Sequence, residues 1–193
     1  MNAATIVQDE VARREEVTRL GLWLFLATVT MLFAAFTSAY IVRKSGSDWH
    51  HLTLPGILWL NTGLLVVSSG AVEAAWSTGA RARWTASSAA FGVAIGLGFG
   101  FLAGQWLAWR QLQGAGVYLP ASPHSWFFYM MTGAHALHVV AALAVLAWAA
   151  VKTWRGDGRR NLPSWSASIG LCRTFWHFLL GVWVYLFFFI SVF

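Results

Sequence analysis

Five long apolar stretches alternate with short polar segments along this chain, and each stretch is long enough to form a helix that crosses a membrane. The hydrocarbon core of a bilayer is about 30 Å thick, which takes about 20 helical residues. Helices are expected because lipid offers no hydrogen-bond partners to backbone N–H and C=O groups. We therefore predict an all-α fold, an integral membrane bundle of five transmembrane helices. The predicted spans are residues 20–42, 56–76, 85–109, 126–151 and 174–193.

The segment before the first span, residues 1–19, is polar and mixed in charge. Acids precede bases by four residues in three pairs, namely Asp9 with Arg13, Glu10 with Arg14, and Glu15 with Arg19. This order favours a short surface helix. We interpret residues 1–19 as a cytoplasmic N-terminal segment, with a docking helix for a partner as the alternative, and residues 20–193 as the transmembrane domain.

Basic residues are distributed unevenly between the two sides of the predicted bundle. Ten of them fall in the N-terminal segment and in the second and fourth connections, whereas Arg43, Lys44 and Arg110 lie on the other side. Positive charge is enriched on the cytoplasmic side of membrane proteins. We therefore predict a cytoplasmic N-terminus and a periplasmic C-terminus.

The overall composition agrees with a membrane protein. Apolar residues make up 58% of the chain and charged residues only 10%, whereas a soluble domain carries about 25% charge. The net charge of +6 comes from residues at the ends of apolar runs, so it indicates topology and not a nucleic-acid partner. Cys172 is the only cysteine, which excludes an internal disulfide and cysteine-based metal sites.

The third span contains glycines at a regular spacing of four residues: Gly92, Gly96, Gly100 and Gly104. Residues at this spacing share one face of a helix. Small residues on such a face let another helix approach closely in lipid. We predict that this face packs within the bundle or against a partner subunit, with a hinge as the weaker alternative.

Glu73 is the only acidic residue predicted inside a span. Ionisable residues within membranes are costly and often functional. Because Glu73 lies about one turn from the cytoplasmic end of its span, it is a candidate either for anchoring to a neighbouring helix or for handling protons. His177, predicted near the same interface, could contact it, and histidine changes charge in the physiological pH range.

His135 and His138 share one face of the fourth span because they are three residues apart. We predict that both are structural and form hydrogen bonds between helices. His177 lies roughly 10 Å from His138 in depth at about 1.5 Å per residue, so the two cannot be opposed ligands of one haem. We predict no catalytic, metal or cofactor site in this chain. His50, His51 and His124 are predicted to be solvated in periplasmic loops.

Short motifs, one or more on each predicted helix, resemble subunit III of the haem–copper oxidases in its five-helix form. They are Gly21-Leu-Trp-Leu-Phe25, Leu60-Asn-Thr62 (with Asn61 at its centre), Ser68-Ser69, Gln105 with Trp109, Pro123 to Tyr129, Thr132-Gly-Ala-His-Ala-Leu-His138, and Phe175-Trp-His-Phe178, which contains Trp176. The Thr-Gly-x-His-x-x-His and aromatic-Trp-His-Phe elements are the most family-like. The resemblance covers the chain after residue 19.

This resemblance implies a non-catalytic subunit of a proton-pumping cytochrome c oxidase in the bacterial inner membrane. It implies that haem and copper lie in partner subunits, and that the chain packs on subunit I, supports proton uptake and binds phospholipids. Subunit II is a further implied partner, and membership of a larger respiratory supercomplex stays open. Quinol oxidases and nitric oxide reductase systems use similar subunits, so the electron donor also stays open.

The sequence departs from the family at two acidic positions. Val29 stands where many members carry a glutamate linked to proton uptake, and Leu180 stands in place of an acid after the Trp-His-Phe element. Two N-terminal helices of the larger family form are also absent. An independent transporter and a b-type cytochrome are the alternatives from other classes. A transporter is disfavoured because the sequence shows no polar path through several spans and no internal repeat. A b-type cytochrome is disfavoured because the histidines lie at different depths in the membrane.

Overall fold

The computed structural model describes residues 3–44, 46, 55–118 and 123–192. The helices in this part of the chain are α1 (Ala3–Lys44), α2 (Ile57–Ala80), α3 (Trp84–Gly114), α4 (Pro123–Trp154), α5 (Asp157–Arg160) and α6 (Leu162–Val192). All except the short α5 are long and apolar enough to cross a membrane. The predicted all-α membrane bundle of five spanning helices is confirmed.

Four of the long helices form the central bundle. α2 packs against α3 and α6, and α4 packs against the same two helices, so the four close into a ring. α1 lies outside this ring, against α4 and α6. Large side chains fill the interior, among them Phe91, Phe101, Trp165, Trp176 and Trp183, each nearly or fully buried. The polar groups that the sequence singled out therefore lie among aromatic neighbours.

α1 is one continuous helix that includes most of the segment predicted to be separate. It begins at Ala3 and runs without interruption to Lys44. No proline occurs in this range, and its single glycine, Gly21, has open space around it, so nothing in the sequence stops the helix. The acid–base pairs of residues 9–19 include side chains outside the described part of the structure.

α6 begins twelve residues before the predicted start of the last span at Thr174. Asn161 caps it, because its Oδ1 atom accepts a hydrogen bond from the backbone N–H of Ser164 at 3.1 Å. Pro163 lies in the first turn, where its missing N–H costs nothing. The charge of Arg173 ends the apolar run but does not end the helix, which is why hydropathy placed the start too late.

Hydroxyl groups join α2 to α3 along their length. Ser68 donates to the carbonyl of Ala94 at 2.9 Å, and Ser87 donates to the carbonyl of Ala75 at 2.7 Å. Each bond supplies an interhelical contact that lipid could not replace. At the cytoplasmic end predicted for this hairpin, Gly79 lies so close to the Trp165 ring that a β-carbon there would overlap it.

The four regularly spaced glycines of α3 have different surroundings. A β-carbon at Gly104 would overlap the Asn61 side chain, and one at Gly100 would make ordinary contact with Leu64 at 3.7 Å. Gly92 and Gly96 are exposed with nothing near them. Only the half of the face near Gly104 therefore packs within this chain, and contact of Gly92 and Gly96 with a partner remains a prediction.

A glycine outside that pattern lies close to both α4 and α6. A β-carbon at Gly98 would crowd Leu143 and Trp176, and Gly98 is buried. The i,i+4 pattern did not include Gly98, because α3 has neighbours on two sides and Gly98 faces α4 and α6.

Candidate functional site

A polar cluster joins α2 to α6 in the half of the bundle predicted to face the cytoplasm. Glu73 Oε2 lies 3.3 Å from His177 Nε2, and Glu73 Oε1 accepts a hydrogen bond from Arg173 Nη1 at 3.2 Å. His177 Nδ1 forms a short hydrogen bond with the Ser69 hydroxyl. The structure thus brings together Glu73 and His177, which the sequence could place only at a similar depth.

The order of the cluster constrains where protons can lie. The Glu73 carboxylate accepts from both Arg173 and His177, so a neutral His177 carries its proton on Nε2 and accepts from the Ser69 hydroxyl at Nδ1. A second proton on His177 would lie at Nδ1 and would donate to the Ser69 oxygen. Rotation of the Ser69 hydroxyl therefore keeps this hydrogen bond whether the His177 imidazole is neutral or charged.

The cluster lies within the apolar length of its helices but on their outer side. Glu73 is sixteen residues from the start of α2, about 24 Å at 1.5 Å per residue, and His177 is fifteen residues from the end of α6, about 22 Å. Both lie inside a layer about 30 Å thick measured from those ends. The side chains of Glu73, His177 and Arg173 are 48%, 38% and 30% exposed.

Arg173 is held by two contacts at once. Its guanidinium carbon lies 4.2 Å from the centre of the Trp76 ring, while Nη1 bonds to Glu73. A cation over an indole face is favourable, and more so where water is excluded. Sequence reasoning placed Arg173 among the topology signals and missed this role, although its position four residues before His177 puts both on one face of α6.

His135 is buried in an aromatic pocket and does not form the predicted interhelical hydrogen bond. The centre of its ring lies 5.7 Å from the ring centre of Phe101 in an edge-on contact, and 5.2 Å from the ring centre of Trp183. Neither ring nitrogen has a hydrogen-bond partner among the described residues. The prediction was wrong here because both neighbours present ring faces and edges and not polar atoms.

His138 also departs from the prediction, because its hydrogen bond stays within its own helix. Nδ1 lies 2.7 Å from the Ala134 carbonyl, and the ring packs near Phe25 and Phe33 of α1. The two histidines of the motif therefore face different helices. Among the described residues, no three His, Cys, Asp or Glu side chains lie close enough to hold a metal ion.

His124 is buried, although the sequence predicted that it would be solvated in a loop. His124 is in the first turn of α4, and its Nε2 lies 3.2 Å from the hydroxyl of the buried Tyr40. α4 begins at Pro123, three residues before the predicted span, so His124 belongs to the bundle and not to a loop. His50 and His51, also predicted to be solvated, lie outside the described residues.

Residues of the Leu-Asn-Thr and Trp-His-Phe motifs pack at helix interfaces. Trp183 donates its indole N–H to Thr62 at 3.0 Å, and Thr62 donates in turn to the Leu58 carbonyl. Asn61 is fully buried beside Gly104, and Trp176 is buried with its ring near Gly98. These contacts place the Leu-Asn-Thr and Trp-His-Phe motifs at the interfaces of α2 and α3 with α6.

A cleft of about 650 Å³ opens between α1 and α6, next to the polar cluster. Arg19 and Trp23 line it from α1, Trp76 from α2, and Ser168 and Arg173 from α6. Two cationic side chains, the carboxylate of Glu16 and two indoles therefore border a space at the end predicted to be cytoplasmic. Such a lining suits the boundary between lipid headgroups and acyl chains.

No protein-family model matches the chain. Individual relatives match it over most of its length. It is 28% identical over 173 residues to cytochrome c oxidase subunit 3 of Bacillus sp. (strain PS3), covering 87% of this chain and 82% of the relative. It is 28% identical over 182 residues to cytochrome bo(3) ubiquinol oxidase subunit 3 of Pseudomonas putida, covering 89% and 84%.

A further relative is the haem–copper oxidase subunit I+III of Aeropyrum pernix, which is 26% identical over 180 residues, covering 88% of this chain and 22% of that protein. The matches to the separate subunits extend over nearly the full length of both partners, and the structure has the spanning helices that the family-like motifs implied. Over most of its length the chain is therefore similar to subunit III of the haem–copper oxidases.

Proposed function

We propose that this chain is the non-catalytic subunit III of a proton-pumping haem–copper terminal oxidase, in which it stabilises subunit I and supports proton uptake. The chain is a multi-pass protein of the bacterial inner membrane and part of an oxidoreductase complex. The observation that supports the role best is the match over nearly the full length of two oxidase subunits. Cytochrome c is the proposed electron donor, and a quinol is the second candidate because one of these relatives is a ubiquinol oxidase subunit.

Subunit I is the proposed main partner, with subunit II and phospholipids as further ones. The Aeropyrum pernix relative carries subunits I and III in one protein, and a covalent link of this kind keeps the two together. A separate chain needs contact surface instead. The exposed glycines Gly92 and Gly96 of α3 offer a face that another helix could approach closely. The cleft lined by Arg19 and Arg173 suits an anionic phospholipid headgroup.

The chain is proposed to hold no redox centre, with haem and copper in partner subunits. The surroundings of its histidines support this. His177 uses both ring nitrogens, toward Glu73 and Ser69. His138 uses Nδ1 toward a carbonyl of its own helix, and His135 is enclosed by aromatic rings. A haem iron needs an imidazole nitrogen that points into open space wide enough for the macrocycle.

Proton handling is proposed for Glu73 and His177. Their hydrogen-bonded chain ends at Ser69 on one side and at Arg173 on the other, and it accommodates a proton without moving the backbone. The cluster is also exposed on the side of the bundle, where a partner subunit could receive protons. Val29 takes the position of the family glutamate, so the pair would partly replace that group.

Affinity purification in mild detergent tests the proposal. A tagged chain should bring down a larger membrane subunit with the optical spectrum of haem, together with O₂-consuming activity. The chain released from that complex should show no Soret band. Recovery of the chain without any haem protein would contradict the subunit role, and a Soret band in the released chain would contradict the absence of a redox centre.

A further inference from the structure

Five side chains among the described residues have buried polar atoms without a hydrogen-bond partner, and two of them are the indoles of Trp76 and Trp176. The other three are Asn61 of α2, Gln105 of α3 and His135 of α4, and each of these residues is at most 1% exposed. Both polar atoms of each side chain are without a partner. Folded proteins pair nearly all such groups, because a polar atom removed from water without replacement is strongly destabilising.

Asn61 lies where α2 packs against α3. Its amide lies against the backbone of Gly104, and Gln105 is the next residue of α3. No described backbone or side-chain group forms a hydrogen bond with either amide. Because Gly104 has no β-carbon, the Asn61 side chain has room between α2 and α3.

His135 faces the same part of the core from α4. The centre of its ring lies 5.7 Å from that of Phe101, which is one turn of α3 before Gln105. It lies 5.2 Å from that of Trp183, which also bonds to Thr62, the neighbour of Asn61. Phe101 and Trp183 meet edge-on at 4.8 Å between ring centres, so each of the three polar side chains lies within about one helical turn of this aromatic pair.

We propose that ordered water molecules bind at this level, held by Asn61, Gln105 and His135. The three side chains are neutral in this setting and offer both donors and acceptors. That combination suits water, which typically makes about three hydrogen bonds to buried groups that otherwise lack partners. The three side chains offer no negative charge to balance a metal cation and no positive charge to hold an anion. The site belongs to this bundle alone, so it forms whichever oxidase the chain joins.

An electron cryo-microscopy map of the intact complex, at a resolution that shows ordered water, tests the proposal directly. Density is expected within about 3.2 Å of at least one polar atom of each of the three side chains. The proposal is overturned if the Asn61 and Gln105 amides bond directly to each other or to His135, with no water density among them.

Radiolytic hydroxyl-radical labelling of the same complex gives a second test, because internal water generates radicals beside buried residues. Trp183 should be oxidised faster than Trp165, which is equally buried but donates its N–H to Thr153 at 2.9 Å, away from this level. Equal protection of the two tryptophans would overturn the proposal.

A pair of histidine variants sharpens the labelling experiment. His135→Phe removes two of the polar atoms and should slow the oxidation of Trp183. His138→Phe is the matched control, since His138 bonds within its own helix, and it should leave the oxidation of Trp183 unchanged. The opposite pattern would contradict the site. Should the His135 variant fail to assemble, the comparison of Trp183 with Trp165 in the natural complex decides alone.

Discussion

The side-chain amide of Asn61 lies against the backbone of Gly104, in the space that a β-carbon at position 104 would occupy. The contact joins the Leu-Asn-Thr motif of α2 to the last of the four spaced glycines of α3. It explains why a buried amide can lie between two helices packed this closely. It also separates Gly104 from Gly92 and Gly96, which have open space at the same face.

We expect Gly104→Ala to destabilise the bundle by about 1–3 kcal/mol, the usual cost of overpacking a tight core. The measurement is the fraction of subunit retained in the complex on native gels after graded heating. Gly21→Ala is the control and should behave as the natural protein, because its methyl group would meet nothing within this chain. Equal retention for both variants would show that the α2–α3 contact is looser than described.

Gly96→Leu tests whether the exposed face of α3 at Gly92 and Gly96 contacts another subunit. If another subunit approaches α3 at this position, the larger side chain should reduce assembly on native gels while the isolated chain keeps its thermal stability. Glycine faces support close helix approach in lipid. Unchanged assembly would mean that Gly96 faces lipid.

Glu73→Gln should alter proton handling in the intact complex. The change keeps the size of the side chain but removes the charge that faces Arg173 and His177. We expect lower turnover, a changed dependence of turnover on pH, and faster inactivation during catalysis. Asp157→Asn, which neutralises an acid in the short helix α5, is the control. A profile and inactivation rate equal to those of the natural complex would leave Glu73 as a packing residue.

Trp165→Ala should cost about 3–5 kcal/mol, the range for removing a large aromatic side chain from a core. The ring fills the space beside Gly79 and Gly158, meets Trp84 edge-on at 5.4 Å and donates to Thr153. Thermal unfolding in detergent measures the loss. Trp154→Ala is the matched control, because Trp154 is 84% exposed and its removal should change little.

The orientation of the chain is predicted from the ten-to-three distribution of basic residues. A reporter that is active only in the periplasm should be active when fused after Phe193, and a cytoplasmic reporter at the same place should be silent. The reverse pattern would place the C-terminus in the cytoplasm and, with five spans, the N-terminus in the periplasm.

The sequence by itself determined the structural class, the number of spanning helices and the resemblance to oxidase subunit III. Length and apolarity fix a spanning helix because lipid cannot satisfy a free backbone, so the five spans could be read from composition alone. The boundaries were less accurate where a charge interrupts an apolar run, as Arg173 does within α6. Hydropathy falls at a charged residue, whereas the start of the helix is set by the Asn161 cap and by the backbone hydrogen bonds.

The tertiary structure alone decided which polar residues meet. Depth along a helix follows from the sequence, but the order of helices around the bundle does not, so only the structure could bring Glu73 of α2 to His177 of α6. The same reason separates the two histidines of one motif, with His135 facing Phe101 and Trp183 and His138 facing α1. It also divides the four equally spaced glycines into packed and exposed ones, because residues four apart drift around a helix of 3.6 residues per turn, so a long row does not stay on one interface.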